Sequence, residues 1–267
     1  MAIGEGVRLD TPSGEEREVK AVGGTTIDGA PIAYVVALAA VVTVLAFIPL
    51  SVVIGSGKSF PMSQGIYPLV GWLLGPVAGA LANGIGSLAG VFLAPHTSTM
   101  PIATVFGAAA GGLASGSMCV RDTRRSLRVV SVVVFVLAYS LYAGRAVLQN
   151  GASLWAVLLG SLINWSALLL FLLPTRTYFA RWIGDQDLRK VAMGLFGGTW
   201  MIAGLVHLCT SAIIYFVLNW PNAVWVSIAP FAPFEHAVRC LVGTVIGTGV
   251  IAGLRAIGLV KPTYALY

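Results

Sequence analysis

Residues 65–95 read GIYPLVGWLLGPVAGALANGIGSLAGVFLAP, and this stretch decides the fold of the chain. It has no charged residue and carries seven glycines, so lipid or protein interior is its natural surrounding. Gly75-Pro76 interrupts it near the middle, where a proline ends one helix or begins another. The stretch is therefore one membrane crossing or two short ones, and the choice sets the orientation of everything downstream.

The composition of the whole chain predicts a membrane environment. Of its 267 residues, 57% are hydrophobic and only 10% are charged, with a mean hydropathy of +0.89. A soluble domain carries about 25% charged residues. The long apolar runs do not alternate as the strands of a transmembrane β-barrel do. We therefore predict an all-α, polytopic integral membrane protein in the cytoplasmic (inner) membrane.

The net charge of +6 does not indicate a nucleic-acid partner, because the basic residues form short clusters between apolar runs, where they set topology. The three dispersed cysteines have no metal-ligand or disulfide-framework spacing. Residues 1–30 are polar at first and lack the apolar core of a signal peptide, so we expect a cytoplasmic segment, flexible or lying on the surface.

Charge asymmetry chooses between one and two crossings for residues 65–95. With two crossings and a cytoplasmic N-terminus, only Lys58, Arg145 and Arg239 of the 16 Lys and Arg residues fall on the outer side. With one crossing, the later basic loops would lie opposite the basic N-terminal segment, against the positive-inside rule. This predicts one transmembrane domain, 31–262, followed by a cytoplasmic tail, 263–267. Its eight crossings fall at about 32–54, 66–79, 80–94, 101–119, 129–148, 154–173, 191–218 and 236–258.

Further motifs accompany the opening stretch: FIPL at 47–50, FP at 60–61, and PFEHAVRCLVGTVIGTGVIAGLRAIGLVKP at 233–262. Together with YPLVGWLLGPVAGALANGIGSLAG and LAP, they resemble the substrate-binding membrane (S) components of energy-coupling factor (ECF) vitamin transporters. The LLGP step and the closing helix are the most specific parts. The resemblance covers roughly the first 120 and the last 70 residues.

The resemblance implies a vitamin-like substrate bound near the outer face. It also implies docking on an energising module, made of a coupling membrane protein and two cytoplasmic ATPases. Members carry an Ala-x-x-x-Ala surface on the first helix for this docking; here Ala33, Ala37 and Ala40 have the spacing, with internal packing as the alternative. Members typically have six helices, so residues 129–173 are interpreted as an inserted hairpin.

Catalytic motifs are missing from the sequence. GSGKS at 55–59 resembles a phosphate loop, but Val52 occupies the position of its first glycine. Neither a nucleophile elbow nor an acidic pair for metal chemistry occurs within a helix. We therefore expect no enzymatic activity and no cofactor, and expect the energy for transport to come from partner ATPases.

The candidate substrate-binding residues are aromatic and polar side chains in or beside the helices, because a vitamin-sized pocket combines apolar walls with few polar groups. Tryptophan also forms interfacial belts, and Asn or His also links helices. For Asn83 and the lone His207 we favour that structural role, and a local Glu235–Arg239 helix pair stays open. The candidates are Lys58, Gln64, Trp72, His96, Arg145, Asn164, Trp200, Trp220, Asn222, Glu235, His236 and Arg239.

Two other functions fit the same sequence. One is a solitary transporter or channel that needs no ATPase. The other is a structural subunit that has kept the S-component fold inside a larger membrane complex, where the inserted hairpin would be an interface.

Overall fold

A computed structural model describes residues 25–53, 58–98, 100–118 and 125–267. Of the described residues, 79% are helical, which confirms the all-α prediction. Most of the expected N-terminal segment, residues 54–57 with part of the GSGKS motif, and the basic residues Arg121 and Arg124 lie outside the described residues. The part of the N-terminal segment that is described forms two short antiparallel strands, β1 (Thr26–Ile27) and β2 (Ala30–Pro31).

The first half of the chain contains four helices and a β-hairpin. The hairpin pairs β3 and β4 antiparallel, and a 3₁₀ turn, Met62–Gly65, leads from it into α2. The elements are α1 (Ile32–Ala46), β3 (Pro49–Val53), β4 (Lys58–Pro61), α2 (Tyr67–Leu74), α3 (Pro76–Leu93) and α4 (Pro101–Ser117).

The break at Gly75-Pro76 is confirmed, but its two arms are unequal. Gly75 has φ 93°, a conformation that favours glycine, and Pro76 begins α3. The sequence predicts two arms of similar length, whereas α2 has 8 residues and α3 has 18. At 1.5 Å per residue α2 spans about 12 Å. The 3₁₀ turn before it adds about 8 Å, so together they nearly match the 15-residue α1 beside them.

The second half of the chain is organised around one long helix, α9. The expected hairpin 129–173 consists of α5, which continues as a π-helical turn, and a second arm broken into α6 and α7 with a bend of 72°. The elements are α5 (Arg125–Gly144), α6 (Leu154–Gly160), α7 (Leu162–Leu172), α8 (Thr175–Ile183), α9 (Leu188–Leu218), α10 (Asn222–Ile228) and α11 (Phe231–Ile257).

Among the described residues, four helices are long and apolar enough to cross a membrane, or five spans if α6 and α7 count as one. The four are Pro76–Leu93, Ser126–Gln149, Leu188–Leu218 and Phe231–Ile257. The apolar α1 is shorter, at 15 residues, and packs lengthwise against α3. The chain therefore has the character of a membrane-embedded helical protein.

The bundle has two distinct ends. At the end that we call the tail end, the C-terminal residues close over the bundle: Leu266 N donates to Trp72 O (2.8 Å) and Thr263 N to Gly29 O (3.3 Å). Arg255 Nη1 donates to Asp185 O (2.8 Å) in the loop after α8. The opposite end, which we call the hairpin end, carries β3–β4, the 3₁₀ turn Pro95–Thr97, and α10.

Glycine allows the helices of the first half to touch through their backbones. A Cβ atom on Gly112 of α4 would lie 2.5 Å from the carbonyl carbon of Gly79 on α3, and one on Gly86 of α3 would lie 2.5 Å from Ala39 O on α1. Such contacts require residues without a side chain. Close helix packing, which the spacing of small residues predicts, therefore accounts for these glycines.

Candidate functional site

The most polar part of the bundle interior lies where α7, α9 and α11 meet. A Cβ atom on Gly204 of α9 would lie 2.9 Å from Ile163 O of α7 and 3.5 Å from His236 Nε2 of α11. The three helices therefore approach closely at this level. We call the polar and aromatic side chains gathered here the central cluster; they are Phe60, Asn164, Trp200, His207, Glu235, His236 and Arg239.

His236 is held by Trp200. Its Nε2 lies 2.8 Å from Trp200 O, and the two rings make an edge-to-face contact at 4.8 Å. Because a carbonyl only accepts hydrogen bonds, Nε2 carries the proton and donates it. In the neutral imidazole Nδ1 is then an acceptor. Trp200 Nε1 in turn donates to Ser166 Oγ (3.3 Å), which fixes the indole against α7.

His207 links α9 to α7. Its Nδ1 lies 2.9 Å from Asn164 Oδ1 and 3.3 Å from Ser211 Oγ. An amide oxygen only accepts, so His207 Nδ1 donates to Asn164. This is the interhelical role expected of a lone histidine, but it also orients Asn164, which is fully buried.

Arg239 is the charged centre of the cluster and is only 2% exposed. Its Nη2 lies 4.0 Å from Glu235 Oε2, one helical turn away, so the local helix pair exists at the limit of ion-pair distance. The Phe60 ring of β4 covers the guanidinium, with its centroid 4.3 Å from Cζ. The same ring lies 6.2 Å from that of His207. Phe60 therefore closes the cluster on the side of the β-hairpin.

Three buried polar atoms of the cluster have no hydrogen-bond partner: Asn164 Nδ2, His236 Nδ1 and Arg239 Nε. Two are donors, and His236 Nδ1 is an acceptor in the tautomer set by Trp200. A buried polar group without a partner is costly, and few occur in a native protein. The cluster therefore presents two donors and one acceptor that no described group satisfies.

The β-hairpin is fastened at the start of β4, where Lys58 pairs with Val53. Lys58 Nζ of β4 donates to Pro95 O (2.9 Å), which joins the hairpin to the 3₁₀ turn after α3. His96 lies exposed in that turn, and Gln64 lies half-buried in the 3₁₀ turn before α2. Among the expected site residues, these three belong to the hairpin end and not to the central cluster.

A second group of expected residues belongs to a separate aromatic cluster at the hairpin end. Arg145 Nη2 donates to Asn219 Oδ1 (2.8 Å), and Asn222 Oδ1 accepts from Ser153 N (3.0 Å). Trp220 and Trp225 stack edge to face at 5.7 Å. The rings of Tyr142 and Tyr215 complete this cluster. Arg145 thus joins the turn after α5 to the end of α9, and Asn222 joins α10 to the start of α6, with Trp220 packed between them.

Trp72 lies away from both groups. It is buried near the tail end, where Nε1 donates to Met118 Sδ (3.3 Å) and the carbonyl accepts from the C-terminal segment.

Asn83 donates from Nδ2 to Tyr67 O (2.9 Å), which is the linking role favoured from sequence.

Five of the twelve expected substrate-binding residues lie together in the central cluster: Asn164, Trp200, Glu235, His236 and Arg239. Sequence reasoning missed Phe60 and gave His207 a purely structural role. The available signal for Phe60 was its place directly before Pro61, at the end of the outer loop. Among the described residues, no group of three or more His, Cys, Asp or Glu side chains is placed to hold a metal ion.

The chain matches no family model, no curated protein and no solved structure in the comparisons made. The fold and the site therefore define the class as an all-α membrane protein with a buried polar cluster.

Proposed function

We propose that this protein is the substrate-binding membrane component of an ECF-type importer for a vitamin-like small molecule. The observation that carries the proposal is the set of three unpartnered buried polar atoms in the central cluster, in which Phe60 covers Arg239. A membrane protein keeps polar and charged groups inside its bundle chiefly where they serve a ligand or a transport path. The combination of the LLGP step and the closing helix supports the same class.

In this proposal eight segments cross the membrane, with the tail end in the cytoplasm. The segment Met62–Leu74 and the short helices α1 and α4 complete the crossings made by the longer helices. Described basic residues favour this orientation, since they concentrate at the tail end, as cytoplasmic ends do. They are Arg128, Arg176, Arg181, Arg189, Lys190, Arg255 and Lys261.

The hairpin end then faces outward, and the β-hairpin is the cover over the central cluster. Substrate enters when Phe60 moves away from Arg239. In this proposal the hairpin releases the bond from Lys58 to Pro95 O when it opens a path from the outer side. The inserted helices α5, α6 and α7 contribute Asn164 and the aromatic cluster, so they enlarge the binding region in this proposal.

The exposed face of α1 is the proposed docking surface for the coupling membrane protein. Ala33, Ala37 and Ala40 are all exposed, whereas Val35 and Ala39 on the other face are buried. Contacts within the described chain therefore leave the small-residue face uncovered. A helix–helix contact that must form and break within lipid requires such small residues.

The test is purification of the tagged full chain from membranes of its source cells in mild detergent. We expect a coupling membrane protein, two ATPases and a small molecule to co-purify. Replacing Ala33 and Ala37 with Leu removes the ATPases and leaves the small molecule bound. Ser140→Leu, at an exposed position of α5, is the matched control and keeps both.

Two outcomes contradict the proposal. Substrate uptake by the chain alone, in cells without any coupling module, identifies a solitary transporter. Co-purification with a permanent membrane complex, without any bound small molecule, identifies a structural subunit.

A further inference from the structure

We infer that the ligand of the central cluster carries an anionic group, most simply a carboxylate, which binds at Arg239. This inference rests on the proposed function for the site and names the chemical class of the substrate. Its basis is the charge balance of the cluster.

The first observation is that Arg239 is buried without full compensation. Its side chain is 2% exposed, and Glu235 reaches only Nη2, at 4.0 Å. Glu235 is itself 22% exposed, so it keeps part of its hydration. The Nε–H of Arg239 has no partner at all. A buried guanidinium is retained where an anion completes its hydrogen bonds, and the planar fork of arginine suits a carboxylate.

The second observation is that a neighbouring group also lacks an acceptor. Asn164 is fully buried, and His207 already occupies its Oδ1, so the amide is oriented with Nδ2 as a free donor. His207 meets the Phe60 ring, and that ring covers Arg239. Two donors without acceptors therefore lie in the cluster, and the Phe60 ring links them through its contacts with His207 and Arg239. A ligand with only donor groups would leave both unsatisfied.

The third observation concerns the remaining charges near the cluster. Glu235 is the one acidic side chain between Asp187 and the C-terminus of the sequence, and it lies 4.0 Å from Arg239. The donor nitrogens of His207 and His236 are already bonded to Asn164 and Trp200, so Arg239 is the positively charged donor of the cluster. An anionic ligand is therefore attracted, and a cationic one is repelled by Arg239 at contact distance.

The experiment uses the purified full chain incubated with a small-molecule extract of its source cells. Bound compounds are released by denaturation and identified by mass spectrometry. We expect the compounds that the wild type retains to carry a carboxylate or another anion. Arg239→Gln retains them about 10- to 100-fold less, the range for one charge-assisted hydrogen-bonded contact. Arg189→Gln, at an exposed position near the start of α9 at the tail end, retains them as the wild type does.

Two further measurements guard against a variant that merely fails to fold. Arg239→Lys keeps the charge and is expected to lose less affinity than Arg239→Gln. In the wild type, the primary amide of the retained acid is expected to bind about 10-fold or more weakly than the acid itself. In Arg239→Gln, the amide and the acid are expected to bind with equal affinity. Because the amide and the acid are compared on the same protein, a difference between them in the wild type does not depend on the folding of a variant.

The outcomes separate the ligand class from the proposed function. A neutral compound retained equally by the wild type and Arg239→Gln overturns the anion inference and leaves a substrate-binding component in place. An anion retained by a chain that never associates with ATPases keeps the inference and overturns the importer. No retained compound overturns both.

Discussion

The guanidinium carbon of Arg239 lies 4.3 Å from the centroid of the Phe60 ring, within the range of a cation–π contact. This contact joins an outer β-hairpin to the last long helix. The carboxylate of Glu235 lies 4.0 Å from Nη2 of Arg239, so the ring and this carboxylate together stabilise the buried charge. The position of the hairpin and the state of the buried charge are thus coupled.

Phe60→Ala is expected to lower the free energy of unfolding by about 1–2 kcal/mol, because the cation–π contact and the cover are both lost. The measurement is thermal unfolding of the detergent-solubilised chain, with and without the compound that it retains. We expect the compound to dissociate about tenfold faster, as 1.4 kcal/mol corresponds to a factor of ten. Phe92→Ala, at a position that is 76% exposed on α3, is the control. Equal effects of the two substitutions would contradict the covering role.

Trp225→Ala is expected to destabilise the fold by about 3–5 kcal/mol, the usual cost of removing a large buried aromatic side chain. Trp225 is fully buried and contacts Tyr142, Tyr215 and Trp220. Trp155→Ala is the matched control, because Trp155 is 71% exposed and should change stability by less than about 1 kcal/mol. Chemical or thermal unfolding measures both. A similar loss of stability in the two variants would contradict a specific contribution of the aromatic cluster to the stability of the fold.

Gly112→Ala is expected to cost about 1–3 kcal/mol, because the new methyl group would overlap the backbone of Gly79 and Ala80 and push α3 away from α4. Gly249→Ala provides the comparison, since a Cβ there meets nothing within 4 Å. That substitution should be neutral, or stabilising by up to about 1 kcal/mol through helix propensity. Melting temperatures of the two variants test the difference. Equal melting temperatures would refute the close contact between α3 and α4.

Single cysteines test the proposed orientation. In a background with Cys119, Cys209 and Cys240 replaced, Ser153→Cys lies at the hairpin end and Gln186→Cys in the loop after α8; both positions are exposed. A maleimide that does not cross membranes should label Ser153→Cys in intact cells and Gln186→Cys only after permeabilisation. The reverse pattern would place the tail end outside and remove the basis for an outward-facing cover.

The local features of the fold are readable in the sequence because they depend on neighbouring residues. Apolar runs with few charges predict a helical membrane protein, because in lipid an α-helix satisfies its backbone hydrogen bonds within its own segment. The Gly75-Pro76 step interrupts a helix through its own backbone conformation, whatever its tertiary surroundings. The spacing of glycines in α3 and α4 predicts close packing, although the unequal lengths of α2 and α3 were not predicted.

The composition of the site was decided by tertiary structure. Periodicity indicates which face of a helix is buried, but helix rotation and axial position determine which side chains then meet. Trp72 and Trp200 are equivalent candidates by sequence, yet the packing places one beside the C-terminal segment and the other against His236. The sequence by itself determined a helical membrane protein broken at Gly75-Pro76, because those properties are local. Only the packing of α7, α9 and α11 beneath the β-hairpin decided that Asn164, His236 and Arg239 share one buried cluster with Phe60.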